Sequence, residues 1–450
     1  AKVLGLGGST APTTSPANMV QMWSEDIMAD HAQLHYMAEG GIARPLGDFY
    51  DPRDWGLVPD DNSGSVPGDN VTAFDAMIGA MSAGDIAHFT KGTWYTNDDL
   101  DVTKGIVFRG DGQDTIIECE ANSKNIIHAT ASGVTIETIK IVGTGQASTG
   151  GTAIDVSGAN SGSYLSNIKI IDTDISLCAR GIWGNFIEQF EFRGGKIIDM
   201  ERSGIVLLSC QDGFIHDYYI EDVQGNNSAD YGIAITRTVG AEATYPTSKR
   251  IDVYDNIVKD VTYWTGYDTH GGENINFYNN KAFGCYAGFK LSTDNDTANV
   301  IHAPINCDVI GNFTDSESDA GDTAYGIYLG GQTHGGTDYI ATGKVLGNTV
   351  RRHGLQTGGG ENVGGIYIAY TEGVPVETNT LIECVSSAIV VYGNNHGFIT
   401  SGNTVVDVWG KSTGANEARA VSVGPGTNNK GYIGENSFRV TSFTAPANGT

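Results

Sequence analysis

The 450-residue chain reads as an all-β protein: a single-stranded parallel β-helix behind a short N-terminal arm and helix. Three observations predict it. Glycine is 62 of 450 residues, about twice the usual ~7%, while charge and proline are scarce. After residue 130 one phrase recurs: a turn residue, a short apolar strand, a gap, then glycine and an alternating strand. The turn residues are Thr138, Asp174, Gly195, Tyr218, Asn256, Asn280, Asn312, Asn348, Asn379, Asn403 and Asn436. Their spacing runs from 21 residues (174 to 195) to 38 (218 to 256), one coil with or without an inserted loop. Asparagine suits this place because it tolerates left-handed turns and its amide can bond to a copy in the next coil.

Residues 1–47 form the first unit. The stretch 1–16 is small and polar and reads as an extended arm. Over 18–41, Val20, Trp23, Ile27, Asp30, Leu34 and Met37 recur at helical 3-4 spacing, predicting a helix with a coiled-coil seam that stops at Gly40 and Gly41. Residues 48–130 form a lead-in with a short amphipathic helix in "GDNVTAFDAMIGAMSAG". Residues 131–450 are the β-helix.

Alternation assigns faces in the second strand of each coil. Ile154, Ile182, Ile205, Ile233, Tyr267, Phe289, Ile327, Ile366, Ile389 and Val421 point inward. The next residues form an outward column: Asp155, Trp183, Val206, Ala234, Asp268, Lys290, Tyr328, Tyr367, Val390 and Ser422. A second outward column holds Thr236, His270, Ser292, Gly330, Ala369 and Tyr392. Parallel strands stack about 4.8 Å apart, so Asp268 and Lys290 become neighbours on successive coils, with His270 beside Asp268. An acid, a histidine and a lysine cluster on this strip with tyrosines continuing it, and Asp268, His270 and Lys290 are the expected catalytic residues. Arg237, Tyr328, Tyr367, Tyr392 and Asp294 are the expected substrate contacts. The competing readings are a surface ion pair of little energy and an aromatic ladder that merely covers the sheet.

A net charge of −27 argues against a nucleic-acid partner and, unless cations gather locally, against any polyanion. The six cysteines form no CxxC pair and read as small buried apolar residues. No apolar run reaches 18 residues, so no membrane span is expected, and no signal peptide stands at Ala1. No ligand pattern for a metal or cofactor is present, and none is expected.

The stretch from "DFYDPRDWGLVPDDN" through "FRGDGQDTIIE" resembles the lead-in of the pectate-lyase-like superfamily, in which a right-handed parallel β-helix follows. Viral tailspikes that degrade capsule or lipopolysaccharide share that plan, and the arm at 1–41 is similar to their virion-anchoring region. The resemblance therefore implies a trimeric, virion-tail polysaccharide depolymerase, attached to tail proteins through residues 1–41. A secreted bacterial enzyme is the competing source. "GYDTH" also resembles the Tyr-x-x-Asp-Pro-His signature of mannuronan C5-epimerases. Asp268 and His270 match it; Thr265 and Thr269 stand at its Tyr and Pro, and Tyr286 lies near the place of its next-coil Arg.

Three functions follow as expectations. A lyase would use Lys290 or a tyrosine as base, with His270 or Arg237 neutralising a uronate. A glycoside hydrolase would pair Asp268 with Asp294, Asp296 or Glu273, with Asp338 a further loop carboxylate. A non-catalytic appendage would bind glycan without cleaving it.

Overall fold

The computed structural model describes residues 21–28, 31–37, 43–45, 49–60, 68–119, 124–145, 151–225, 230–238, 240–295, 301–317, 324–354, 364–409, 419–424 and 429–439. Its body is a right-handed parallel β-helix of three sheets with 12, 14 and 13 strands. Each coil contributes one strand to each sheet. The 12-stranded sheet, here the front sheet, carries the Asp268 strand, Thr265–His270.

The inward column is in register from coil to coil, Ile154 on Ile182 through Ile389 on Val421. Tyr267 and Phe289 stack in that column with ring centres 4.6 Å apart. The Tyr267 hydroxyl reaches the Asn256 and Lys281 carbonyl oxygens at 2.9 and 3.0 Å, which lets a phenol sit in an apolar core. Glycine precedes the inward residue in coil after coil because the corner is crowded. A Cβ on Gly181, Gly204, Gly232 or Gly288 would lie 2.4–2.6 Å from the carbonyl oxygen of the next coil's glycine.

The asparagine turns form one hydrogen-bonded ladder from Asn256 to Asn436. From Asn280 on, each Oδ1 accepts from the backbone N–H and the side-chain amide of the preceding asparagine, as Asn312 Oδ1 does from Asn280 at 2.8 and 3.2 Å. Each amide also donates to a core-strand carbonyl, as Asn312 Nδ2 does to Phe277 at 2.9 Å. Buried polar groups are thereby satisfied within the stack. All six cysteines are buried and free.

The helix Gly68–Ala80 closes the first coil, burying Phe74, Met77 and Ile78, with Phe74 against Phe108. A solenoid needs such a cap because its terminal coil has no neighbour on one side.

In the described part of 18–41 the expected helix is not formed. Gln21–Met28, His31–Met37 and Ala43–Pro45 make an antiparallel three-stranded sheet, with Trp23 opposite His35 and Ser24 opposite Leu34. A seam of fewer than three heptads has little helical stability alone, and two segments joined by two residues pair locally at low entropic cost. The seam goes with the helix. The remainder of 1–47 lies outside the described residues. No described helix is long and apolar enough to cross a membrane.

Candidate active site

The outer face of the front sheet carries the predicted columns. Asp268 pairs in register with Lys290, Lys290 with Tyr328, and Tyr328 with Tyr367; His270 pairs with Ser292 and Ala369 with Tyr392.

Asp268 is outward-facing yet only 1% exposed, because neighbouring side chains close over it. Thr265 Oγ1 donates to its Oδ2 at 3.0 Å. His270 Nε2 lies 2.8 Å from Oδ1, an ion-pair contact when the ring is protonated. The threonine at the position of the epimerase tyrosine thus serves to hold the carboxylate.

Lys290 takes an unexpected position. Its Nζ sits 4.0 Å from the centre of the Trp264 ring. Among the described residues no carboxylate lies within ion-pair distance of it. Burial lowers its pKa below the ordinary lysine value, with the Asp268 charge opposing. Trp264 stacks on Tyr286, ring centres 6.5 Å apart. Together with Thr265, Ala287, Lys290, Ala324 and Tyr325 they line a pocket of about 210 Å³. This pocket has the aromatic walls and single convergent charge of a small-ligand site.

Tyr231 stands one coil before Thr265 and meets the His270 ring edge to face at 6.2 Å. Burial, with the Asp268 charge added, holds its phenol well above the usual tyrosine value, so it keeps its proton.

The other expected contacts divide. Tyr325, Tyr328, Tyr367 and Tyr392 form a continuous aromatic cluster with centres 5.1–6.1 Å apart, and Tyr328 and Tyr367 are stacked. The Tyr328 hydroxyl lies across Gly330 of its own strand, where a Cβ would come within 2.6 Å of it. That direction takes it along the sheet, and burial raises its pKa and that of Tyr367.

Arg237 and Asp294 are corrections. The Arg237 side chain is 0% exposed, and its Nε donates to Asp294. Its other nitrogens donate to Glu242 and to the carbonyls of Gly240 and Tyr245 at 2.7–3.1 Å. Both residues clamp the 240–248 loop to the loop that leaves the front sheet two coils on, and the guanidinium's donors are already used. Glu273 begins a strand of the 14-stranded sheet, on a different face of the helix. Asp338 sits in an exposed hairpin bonded to Thr333 and Asn394. Asp296 lies outside the described residues.

The sequence reading missed Tyr231, Trp264 and Tyr325, and it noted Tyr286 only by its place in the epimerase resemblance. They stand at the corner where front-sheet strands begin, one in each of four successive coils. The signal was visible as an aromatic residue just ahead of each glycine-led strand, but outward alternation was counted only within the strands. Among the described residues no group of three or more His, Cys, Asp and Glu is gathered to hold a metal ion.

No protein-family model matches the chain, and no curated protein matches it by sequence. Solved structures do. The Family 28 exopolygalacturonase of Yersinia enterocolitica is 12% identical with a TM-score of 0.50, the match covering 95% of this chain and 85% of that one. The catalytic domain of a GH87 alpha-1,3-glucanase variant in complex with nigerose is 13% identical, TM-score 0.50, covering 92% and 75%. The pre-mature gene product 12 of bacteriophage phi29 is 11% identical, TM-score 0.54, covering 83% of this chain and 55% of that one. At these identities the likeness is one of fold: the chain shares the right-handed parallel β-helix with all three.

Proposed function

We propose that the chain is a polysaccharide depolymerase that cleaves an acidic glycan by β-elimination at the Asp268–His270–Lys290 site. The observation that carries this is Lys290: half-buried, free of a carboxylate partner among the described residues, lowered in pKa, and on the coil next to Asp268. A lysine in that state supplies a neutral amine near neutral pH more readily than an exposed one.

In the proposed step the Lys290 amine takes the C5 proton of a uronate. The C5–H electron pair becomes the C4–C5 double bond, and the C4–O glycosidic bond breaks toward its oxygen. Tyr325, which lines the same pocket and keeps its proton, donates to that oxygen. His270, whose Nε2 lies 2.8 Å from the Asp268 carboxylate, is the group assigned to neutralise the uronate carboxylate so that the C5 proton becomes acidic. Retaining or inverting hydrolysis needs two carboxyl groups facing across the bond. Of the described partners weighed for Asp268, Asp294 is committed to Arg237, Glu273 faces elsewhere and Asp338 sits in a separate hairpin.

The finer reading is a virion-borne tailspike acting on a host surface glycan. It is supported by the resemblance of the lead-in segment and is compatible with a fold shared with a phage protein. With the coiled-coil seam gone, a homotrimer rests on that resemblance alone, and sedimentation of the full chain tests it.

The activity test uses purified protein with alginate and a panel of bacterial exopolysaccharides, reading chain shortening, new reducing ends and the ultraviolet absorbance of unsaturated uronate. Shortening with absorbance, lost in Lys290→Ala and in Asp268→Ala, is the expected result. Shortening without absorbance that survives Lys290→Ala sinks the elimination and favours hydrolysis. Glycan binding with no shortening identifies a non-catalytic binder.

A further inference from the structure

The corner at which front-sheet strands begin continues beyond the pocket. Reading back from Tyr325, successive coils place there Tyr286, Trp264, Tyr231, Arg202 and Arg180. Six coils thus share one edge, aromatic at one end and cationic at the other.

The two arginines are unusual in this protein. With 53 acidic against 26 basic residues, a guanidinium has carboxylates to spare, and Arg53, Arg109, Arg237, Arg250 and Arg352 each sit on one. Among the described residues, neither Arg180 nor Arg202 lies within ion-pair distance of any. The stretches 146–150 and 226–229, which adjoin this corner in sequence, contain no Asp or Glu. Nearby acids are turned to other work. Asp155 accepts from Asn125 Nδ2 at 2.9 Å and from Ser157, and Asp101 lies 2.9 Å from His128 Nδ1. Glu201 is close enough to act on Arg180 electrostatically, yet its buried Oε2 has no hydrogen-bond partner.

Arg180 sits over the Trp183 ring in cation–π contact, its Cζ 4.8 Å from the ring centre. That contact holds the guanidinium in place, and a guanidinium over an aromatic ring still carries N–H donors for a planar oxyanion. Burial and then the Arg202 charge lower the Arg180 pKa, with the Asp155 and Glu201 charges opposing from beyond ion-pair distance. Both side chains remain partly exposed. A fixed pair of guanidiniums without carboxylates is a ready receptor for a planar oxyanion.

We propose that Arg180 and Arg202, backed by Trp183, form an anion subsite that holds a carboxylate of an acidic glycan whose chain lies along the front-sheet edge into the Lys290 pocket. The proposal rests on the depolymerase reading for the class of ligand. Arg202 and Arg180 precede Asp268 by two and three coils, about 10 and 14 Å at ~4.8 Å per strand, so the subsite engages a sugar residue distant from the one that reacts. It also answers the charge problem: a chain of net charge −27 concentrates cations without carboxylate partners along the edge that a polyanion would follow.

The test is affinity electrophoresis and calorimetry with alginate, polygalacturonate and hyaluronate, each alongside its carboxyl-reduced neutral form, for wild type, Arg180→Gln/Arg202→Gln, Arg180→Lys/Arg202→Lys and Asp268→Asn. Thermal midpoints verify folding. The expected result is preference for at least one acidic polymer, weakened tenfold or more in the double Gln variant, partly restored in the Lys variant and retained in Asp268→Asn. Equal affinity for acidic and reduced forms, or acidic preference undiminished in the double Gln variant, overturns the subsite while leaving the glycan reading standing. Absence of binding to every polymer, acidic or neutral, overturns both.

Discussion

The Lys290 ammonium and the Trp264 indole ring are in cation–π contact at 4.0 Å, and Lys290 makes no ion pair with Asp268 although their strands are adjacent. Burial lowers the Lys290 pKa and the Asp268 charge partly offsets it. Asp268→Asn removes the opposing charge, so the lysine pKa falls further. Titration of isotope-labelled lysine by NMR is expected to show one resonance with a midpoint below 10.5, moving lower still in Asp268→Asn. The linkage sign follows. The unfolded chain holds the Lys290 proton more tightly, so this group costs stability below its folded pKa, and the cost vanishes as pH rises toward the unfolded value. Depolymerase activity, which needs the neutral amine, rises with pH through the same folded pKa.

Arg237 is predicted to matter for stability and not for substrate affinity. Arg237→Met leaves Asp294 buried without its partner, a change that typically costs about 3–5 kcal/mol. Denaturant titration should show that loss. In the fraction that remains folded at low temperature, KM should stay within a factor of about two. A large KM increase with unchanged stability contradicts the clamp.

The asparagine ladder predicts a position effect. Asn312 Oδ1 accepts both the backbone N–H and the side-chain amide of Asn280. Asn312→Ala strands a buried N–H and should cost about 2–3 kcal/mol. Asn436→Ala, at the part-buried end of the ladder, should cost less than half of that. Equal costs at the two positions argue against cooperative stacking.

His353 is wholly buried, with Nε2 2.8 Å from Thr314 Oγ1, and burial lowers its pKa to about 4 from 6.5. The folded state binds the proton less well than the unfolded one. Its contribution is therefore favourable above pH 6.5, declines as pH falls toward 4, and is gone below. At about 1.4 kcal/mol per pKa unit the swing is about 3 kcal/mol. The wild-type minus His353→Gln stability difference, measured between pH 7.5 and 4, should shrink by that amount. A difference independent of pH contradicts the assignment.

The parts of this molecule that were legible in its residues repeat along one dimension. The inward column from Ile154 to Val421, the outward column through Asp268, Lys290, Tyr328 and Tyr367, and the asparagine ladder all emerged at the predicted places. Each coil copies its neighbour's register, so aligning the glycine-led strands amounts to stacking them. The N-terminal segment has no such copy to constrain it. Its 3-4 spacing was compatible with a helix, and local strand pairing prevailed.

Chemistry at the site depended on directions that alternation does not carry. The sequence by alignment put Asp268 beside Lys290. Only the folded corner sent the ammonium onto Trp264, turned Arg237 inward to Asp294, and laid the Tyr328 hydroxyl over Gly330. The physical reason is range. A strand's periodicity specifies which face a Cβ leaves from, a property of the backbone alone. Where a long side chain ends is settled by burial, partners and the loops of neighbouring coils, which lie tens of residues away in sequence and meet it only after the coils have stacked.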